Sequence, residues 1–138
     1  MTEPYASDLP PARVGDDDKL LPIAVYVLYI LGWASIGLTP LIGFVMAYAL
    51  KGRAADWART HYVFAIRTAW IGLIGWVAVG LIYVLGAPLT LVMIGFLFWY
   101  IAAALAGLIG VWVTVRCVVG LIYAARREAY PRPSAWII

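Results

Sequence analysis

Residues 20–50 and 68–115 contain no Asp, Glu, Lys or Arg, gaps of 31 and 48 residues. About 20 apolar residues suffice to cross the roughly 30 Å hydrocarbon core of a bilayer. Each gap therefore exceeds one span. A short soluble chain could not bury so much apolar surface in one core. Of the 138 residues, 65% are hydrophobic and 12% charged, against about half and a quarter in soluble domains. The expected class is an all-α integral membrane protein. The expected architecture is a bundle of about four transmembrane or partly re-entrant helices with a disordered N-terminal tail.

Charge and proline divide the chain. Residues 1–19, "MTEPYASDLPPARVGDDDK", are polar, acidic and proline-containing. Such a composition suits a disordered cytoplasmic tail rather than a secretory signal, and the segment is expected to be retained. Residues 20–125 form the expected membrane domain. As one helix, residues 20–50 would measure roughly 46 Å, too long for a single straight span. "GLTP", Gly37 to Pro40, is the expected break, because proline removes a helix hydrogen bond and restricts the residue before it. Helices are expected at 21–37 and 40–50, with one bent span or a re-entrant hairpin as alternatives, the hairpin only if protein buries its backbone. A third helix is expected at 61–85, ended by "GAP", Gly86 to Pro88. A fourth is expected within 90–125, with Gly95 as a later possible start. Residues 126–138 are expected to be a basic interfacial tail.

The net charge of +3 is distributed as a topology signal. Lys51, Arg53 and Arg59 lie in one loop, Arg126, Arg127 and Arg132 in the tail, and no charge lies in the 86–90 turn. Positive charge favours the cytoplasmic side, so both termini are expected there. No basic stripe interleaved with aromatics sits in a soluble segment, so nucleic acid is not an expected partner.

Helices in lipid associate through small residues that let backbones approach. At 100° per residue, His61, Ala65, Thr68, Gly72, Gly75 and Val79 share one side of the third helix. Ala103, Gly107, Gly110, Thr114 and Cys117 share one side of the fourth. These stripes are expected to pack together or against the first hairpin. Trp57, Tyr62 and Trp136 suit the inner interface.

Few residues could carry chemistry. No carboxylate falls within an expected span, where proton relays and cation-coupled carriers place theirs. One His and one Cys cannot make the usual four-ligand metal site. A single cysteine excludes an internal disulfide, and Cys117 is expected to be a small packing residue. No Walker loop, zinc-protease signature or nucleophile elbow is present. The chain is therefore expected to be neither an enzyme nor a cofactor protein. The remaining candidates are His61, Arg67 and Arg116, with Arg126 and Arg127 at the same level. They form a candidate site for an anionic lipid headgroup or an acidic partner residue. Snorkelling of the arginines to lipid phosphates is the simpler expectation. For His61 it is a hydrogen bond to a loop carbonyl, beside a pH-sensitive contact.

Three stretches resemble a group of small bacterial membrane proteins related to the plastid import subunit Tic-twenty and to magnetosome proteins of the MamF type. They are "GLTPLIGFVMAYALKGR", "RTHYVFAI" and "VRCVVGLIYAARREAYPRPSAW", within residues 20–136. Members of the group often carry asparagine after the histidine, where this chain has Ala65-Ile66-Arg67. The resemblance implies a four-segment helical bundle with no known enzyme activity. Three functional expectations follow. The first is a non-enzymatic scaffold or accessory protein of the bacterial inner membrane, with other membrane subunits or a second copy as partner. The others are a pore or protein-translocation component and a lipid-binding membrane protein.

Overall fold

The computed structural model describes residues 19–136. The expected disordered tail lies outside them, apart from Lys19. All regular structure among the described residues is helical: α1 (Leu20–Ile30), α2 (Leu38–Lys51), α3 (Asp56–Leu89) and α4 (Gly95–Ala125), with 3₁₀ turns at Leu31–Trp33 and Thr90–Val92. The helices form two antiparallel hairpins of unequal length, packed side by side as a bundle.

The helix ends depart from the expected ones for local reasons. Pro22 and Pro40 each sit third in their helix, where the missing N–H has no intrahelical partner to lose. Pro40 therefore lies inside the first turn of α2, and the chain reverses earlier. Ile36 (φ 52°) and Gly37 (φ 88°) both adopt left-handed conformations there. The Gly37 amide donates to the Gly32 carbonyl, and the Leu38 amide to the Ser35 carbonyl. Ser35 Oγ accepts from the Thr39 amide. These turn groups are satisfied within the chain. "GAP" does not end α3 at 85. Instead α3 runs through Pro88 to Leu89, the proline sitting in its last turn and forgoing one hydrogen bond. Reversal follows around Met93 (φ 61°), and Gly95 opens α4. The loop-side start of α3 is Asp56 rather than His61, and Asp56 lies in the first turn, where a carboxylate favours the helix dipole.

Length sets the packing. At 1.5 Å per residue, α3 is about 51 Å long and α4 about 46 Å, while α2 is about 21 Å. The short hairpin thus covers only the half of α3 and α4 near the 51–56 loop. Its turn reaches the level of Gly72, Trp76 and Gly110. Gly120 lies against Tyr26, and Gly110 against the Trp33 indole. Phe44 meets Trp70 edge to face at 5.9 Å. The core is consequently polarised: every buried residue of α3 except Gly86 lies at or before Gly72. Farther along, α3 and α4 pair through Gly75 against Ile109 and through Tyr83 stacked on Trp99. Around this pair Leu81, Val84, Leu85, Leu97, Tyr100 and Ile101 are exposed. The run Asp56–Val92 and α4 are long and apolar enough to cross a membrane; the other two helices are shorter.

Candidate functional site

Polar side chains converge at the well-packed end of the bundle, and the chain after α4 organises them. There α4 ends in a tight reversal. The Glu128 amide donates to the Tyr123 carbonyl and the Arg127 amide to the Ala124 carbonyl, with Arg127 left-handed (φ 57°). This is the Schellman pattern that caps a helix C-terminus. It folds residues 128–136 back over α3 and α4 as a strap.

His61 anchors the start of the strap. It is 1% exposed. Its Nε2 lies 2.8 Å from the Glu128 carbonyl oxygen, which can only accept, so Nε2 carries the proton. Nδ1 then accepts from the Tyr26 hydroxyl at 3.1 Å. One imidazole so joins α1, α3 and the strap. The preceding residue, Thr60, donates through Oγ1 to the Trp57 carbonyl at 2.6 Å and accepts from the Tyr130 amide at 2.9 Å. Tyr130 is the only buried residue among 128–136. Burial pushes its phenol pKa up, the Arg116 charge opposing.

Arg116 lies in the interior beneath the other end of the strap, 0% exposed. Its Nε donates to Thr68 Oγ1 at 3.0 Å, and its Nη2 to the Ala135 carbonyl at 3.2 Å. Thr68 is held by its own bond to the Phe64 carbonyl at 2.8 Å. The guanidinium carbon sits 4.0 Å from the Phe64 ring centroid and 4.8 Å from that of Trp112. Tyr130 stacks on Phe64 at 3.9 Å. Two groups so close to one ring centroid must occupy opposite faces, so the order is Tyr130, Phe64, Arg116, Trp112. A cation between aromatic faces and hydroxyl and carbonyl acceptors is a stable buried arrangement.

Arg67 is half-buried, with its guanidinium 5.7 Å from the Trp136 ring. The adjacent strap residues Ala135 and Trp136 therefore touch Arg116 and Arg67 respectively. Arg126 and Arg127 are exposed at the end of α4. Among the expected packing residues, Gly72 lies near Val113, Gly75 against Ile109 and Gly110 against Trp33. Ala103 and Gly107 differ from expectation: Ala103 is exposed, and a methyl at Gly107 would meet open space. They lie beyond the short hairpin's turn, so no helix of this chain faces them.

Thr60, Tyr26, Tyr130 and the Glu128 and Ala135 carbonyls are site groups that the sequence alone does not single out. Thr60, Phe64 and Arg67 do recur at helical spacing, a signal that something polar and aromatic lies along that face. Backbone acceptors carry no residue-type signal at all. On the opposite side, an apolar groove of about 690 Å³ opens between the hairpins, lined by Trp33, Phe44, Trp70, Trp76, Gly72 and Gly110 among others. No three His, Cys, Asp or Glu side chains gather to hold a metal among the described residues. No family model, curated protein or solved structure matches this chain.

Proposed function

We propose that this chain is a non-enzymatic, multi-pass protein of the bacterial inner membrane that assists assembly or stability of a larger membrane complex. The observation that supports this reading is the inequality of the hairpins. A packed end with buried hydrogen bonds continues into a two-helix pair whose outer surface is apolar on all sides and carries open small residues, Gly107 and Gly80. Only 11% and 22% of the most apolar windows of α3 and α4 are buried within the chain. In water that surface would drive aggregation. In a bilayer it is ordinary, and the small open positions suit close approach of another transmembrane helix. The self-satisfied turn at Ser35–Gly37 is compatible with a half-depth, re-entrant hairpin in hydrocarbon.

In this reading the basic 51–59 segment and the strap end face the cytoplasm. The likeness to the Tic-twenty and MamF group belongs to the same proposal. Native mass spectrometry after gentle extraction tests it. A stoichiometric membrane-protein partner, or a defined self-oligomer, that is lost in Gly107→Leu is expected. A monomer without partners in every mild detergent and nanodisc would overturn the reading.

A second reading, binding of an anionic lipid, is favoured by the convergence of Arg67 and Arg116 beneath one strap. If α3 is centred in the bilayer, its excess over the hydrocarbon core leaves about 10 Å at each end. Arg67, 11 residues beyond Asp56, then sits about 6 Å below the core boundary, within snorkelling reach of headgroups.

A further inference from the structure

We infer that the strap Glu128–Trp136 is a releasable cover, and that its tip, Ala135–Trp136, blocks a phosphate-binding site formed by Arg67 and Arg116, with Thr68 orienting the Arg116 fork. The inference rests on the lipid-binding reading and adds to it the ligand chemistry and the means of control.

Three observations combine. The first is the pairing itself. Two guanidiniums from different helices are each met by one of two consecutive strap residues, Arg116 through the Ala135 carbonyl and Arg67 through the Trp136 ring. Guanidinium forks match phosphate oxygens bidentately, and a phosphate oxygen is a stronger, charge-assisted acceptor than the carbonyl now in place. Thr68 Oγ1 already holds Arg116 by Nε, which orients the fork and leaves Nη2 directed toward the strap.

The second is how the strap is attached. It is fixed firmly at its base by His61 to Glu128 and by Tyr130, whose amide and ring are both engaged. Past Tyr130 it is exposed or half-buried throughout, and Trp136 is 70% exposed. Pro131 and Pro133 have no N–H to bind it down and hold φ fixed, so the tip moves as a stiff arm about its base. The third is depth. With α3 centred in a bilayer as proposed above, the site lies within reach of headgroup phosphates, and an anion shielded from bulk water there gains more from two cations than it would on an open surface.

Phosphatidylglycerol binding to the full-length protein, measured by native mass spectrometry, tests the proposal, with inorganic phosphate as a parallel ligand. Trp136→Ala removes an exposed cover and leaves the buried core untouched. It should tighten binding about two- to fivefold, the worth of a solvent-exposed cation–π contact. Arg67→Gln should weaken binding about tenfold or more, as expected for a lost charge-assisted hydrogen bond. Hydrogen exchange across 128–136 should rise when ligand is added. Binding of both anions with this pattern supports a free phosphate ligand, and binding of phosphatidylglycerol alone supports a lipid. Phosphatidylglycerol binding that ignores both substitutions overturns this inference and leaves the lipid-binding reading standing. Sensitivity to Arg67→Gln without any effect of Trp136→Ala refutes the covering role. No binding by either protein overturns the lipid-binding reading as well.

Discussion

Gly107 and Gly110 are three residues apart on α4 and face different surroundings. A methyl at Gly110 would lie within the Trp33 indole, whereas at Gly107 it meets nothing. Gly110→Ala should therefore destabilise the folded protein by about 1–3 kcal/mol through overpacking. Gly107→Ala should be neutral or stabilising by up to about 1 kcal/mol, since alanine is the better helix former. Denaturant unfolding in one detergent, with the two variants side by side, checks this. Equal effects would mean Trp33 does not pack there. Arg127 presents the reverse case. A non-glycine residue held at φ 57° costs energy that glycine does not. Arg127→Gly should stabilise the α4 reversal by about 0.5–1 kcal/mol. It should slow hydrogen exchange of the Glu128 amide, which closes the reversal onto Tyr123.

Among elements, the short hairpin and the strap are opposites in how they are held. The hairpin is held by aromatic packing and by the Trp33 Nε1 donation to Thr114 at 3.3 Å. The strap is held through its main-chain groups, one buried tyrosine and the Trp136 ring against Arg67. Trp33 is 62% exposed, so replacing it with alanine should cost clearly less than truncating a fully buried aromatic, about 3–5 kcal/mol, as denaturant unfolding would show. Tyr130→Ala should release the strap without unfolding the helices. The expected signs are faster exchange across 128–136 and unchanged far-ultraviolet circular dichroism. A loss of helix with this variant would show that the strap is part of the core.

For the whole molecule, the unequal hairpins predict a particular topology. In a chain with Cys117→Ser, a cysteine at Arg53 and one at Met93 should react with a membrane-impermeant thiol reagent from opposite sides. One at Ser35, in the short hairpin's turn, should react from neither. Labelling of Ser35→Cys from the Met93 side would mean that α1 and α2 each cross the bilayer, and would remove the half-depth hairpin.

Which properties were legible in advance follows from the range of the forces involved. Solvent preference is additive over residues. The charge gaps alone therefore established an apolar helical chain with its polar ends near Lys51, Arg59 and Arg126, while proline chemistry placed a break at Gly37 to Pro40, slightly past the reversal, which turns at Ile36 and Gly37. Partner identity is not additive. The stripe on α4 was readable as a pattern, but only the length of the opposing hairpin separates Gly110, which is covered, from Gly107, which is not. The short-hairpin depth was left open between two spans, one bent span and a re-entrant turn, because periodicity does not say how far a helix reaches past its neighbour. His61, Arg67 and Arg116 could be singled out by their rarity in an apolar chain. That two adjacent strap residues meet both arginines depends on the left-handed turn at Arg127 and on carbonyls that every residue possesses. Composition and spacing determined an apolar, helical chain; tertiary structure alone brought the strap onto the arginines, because backbone acceptors become specific only by position.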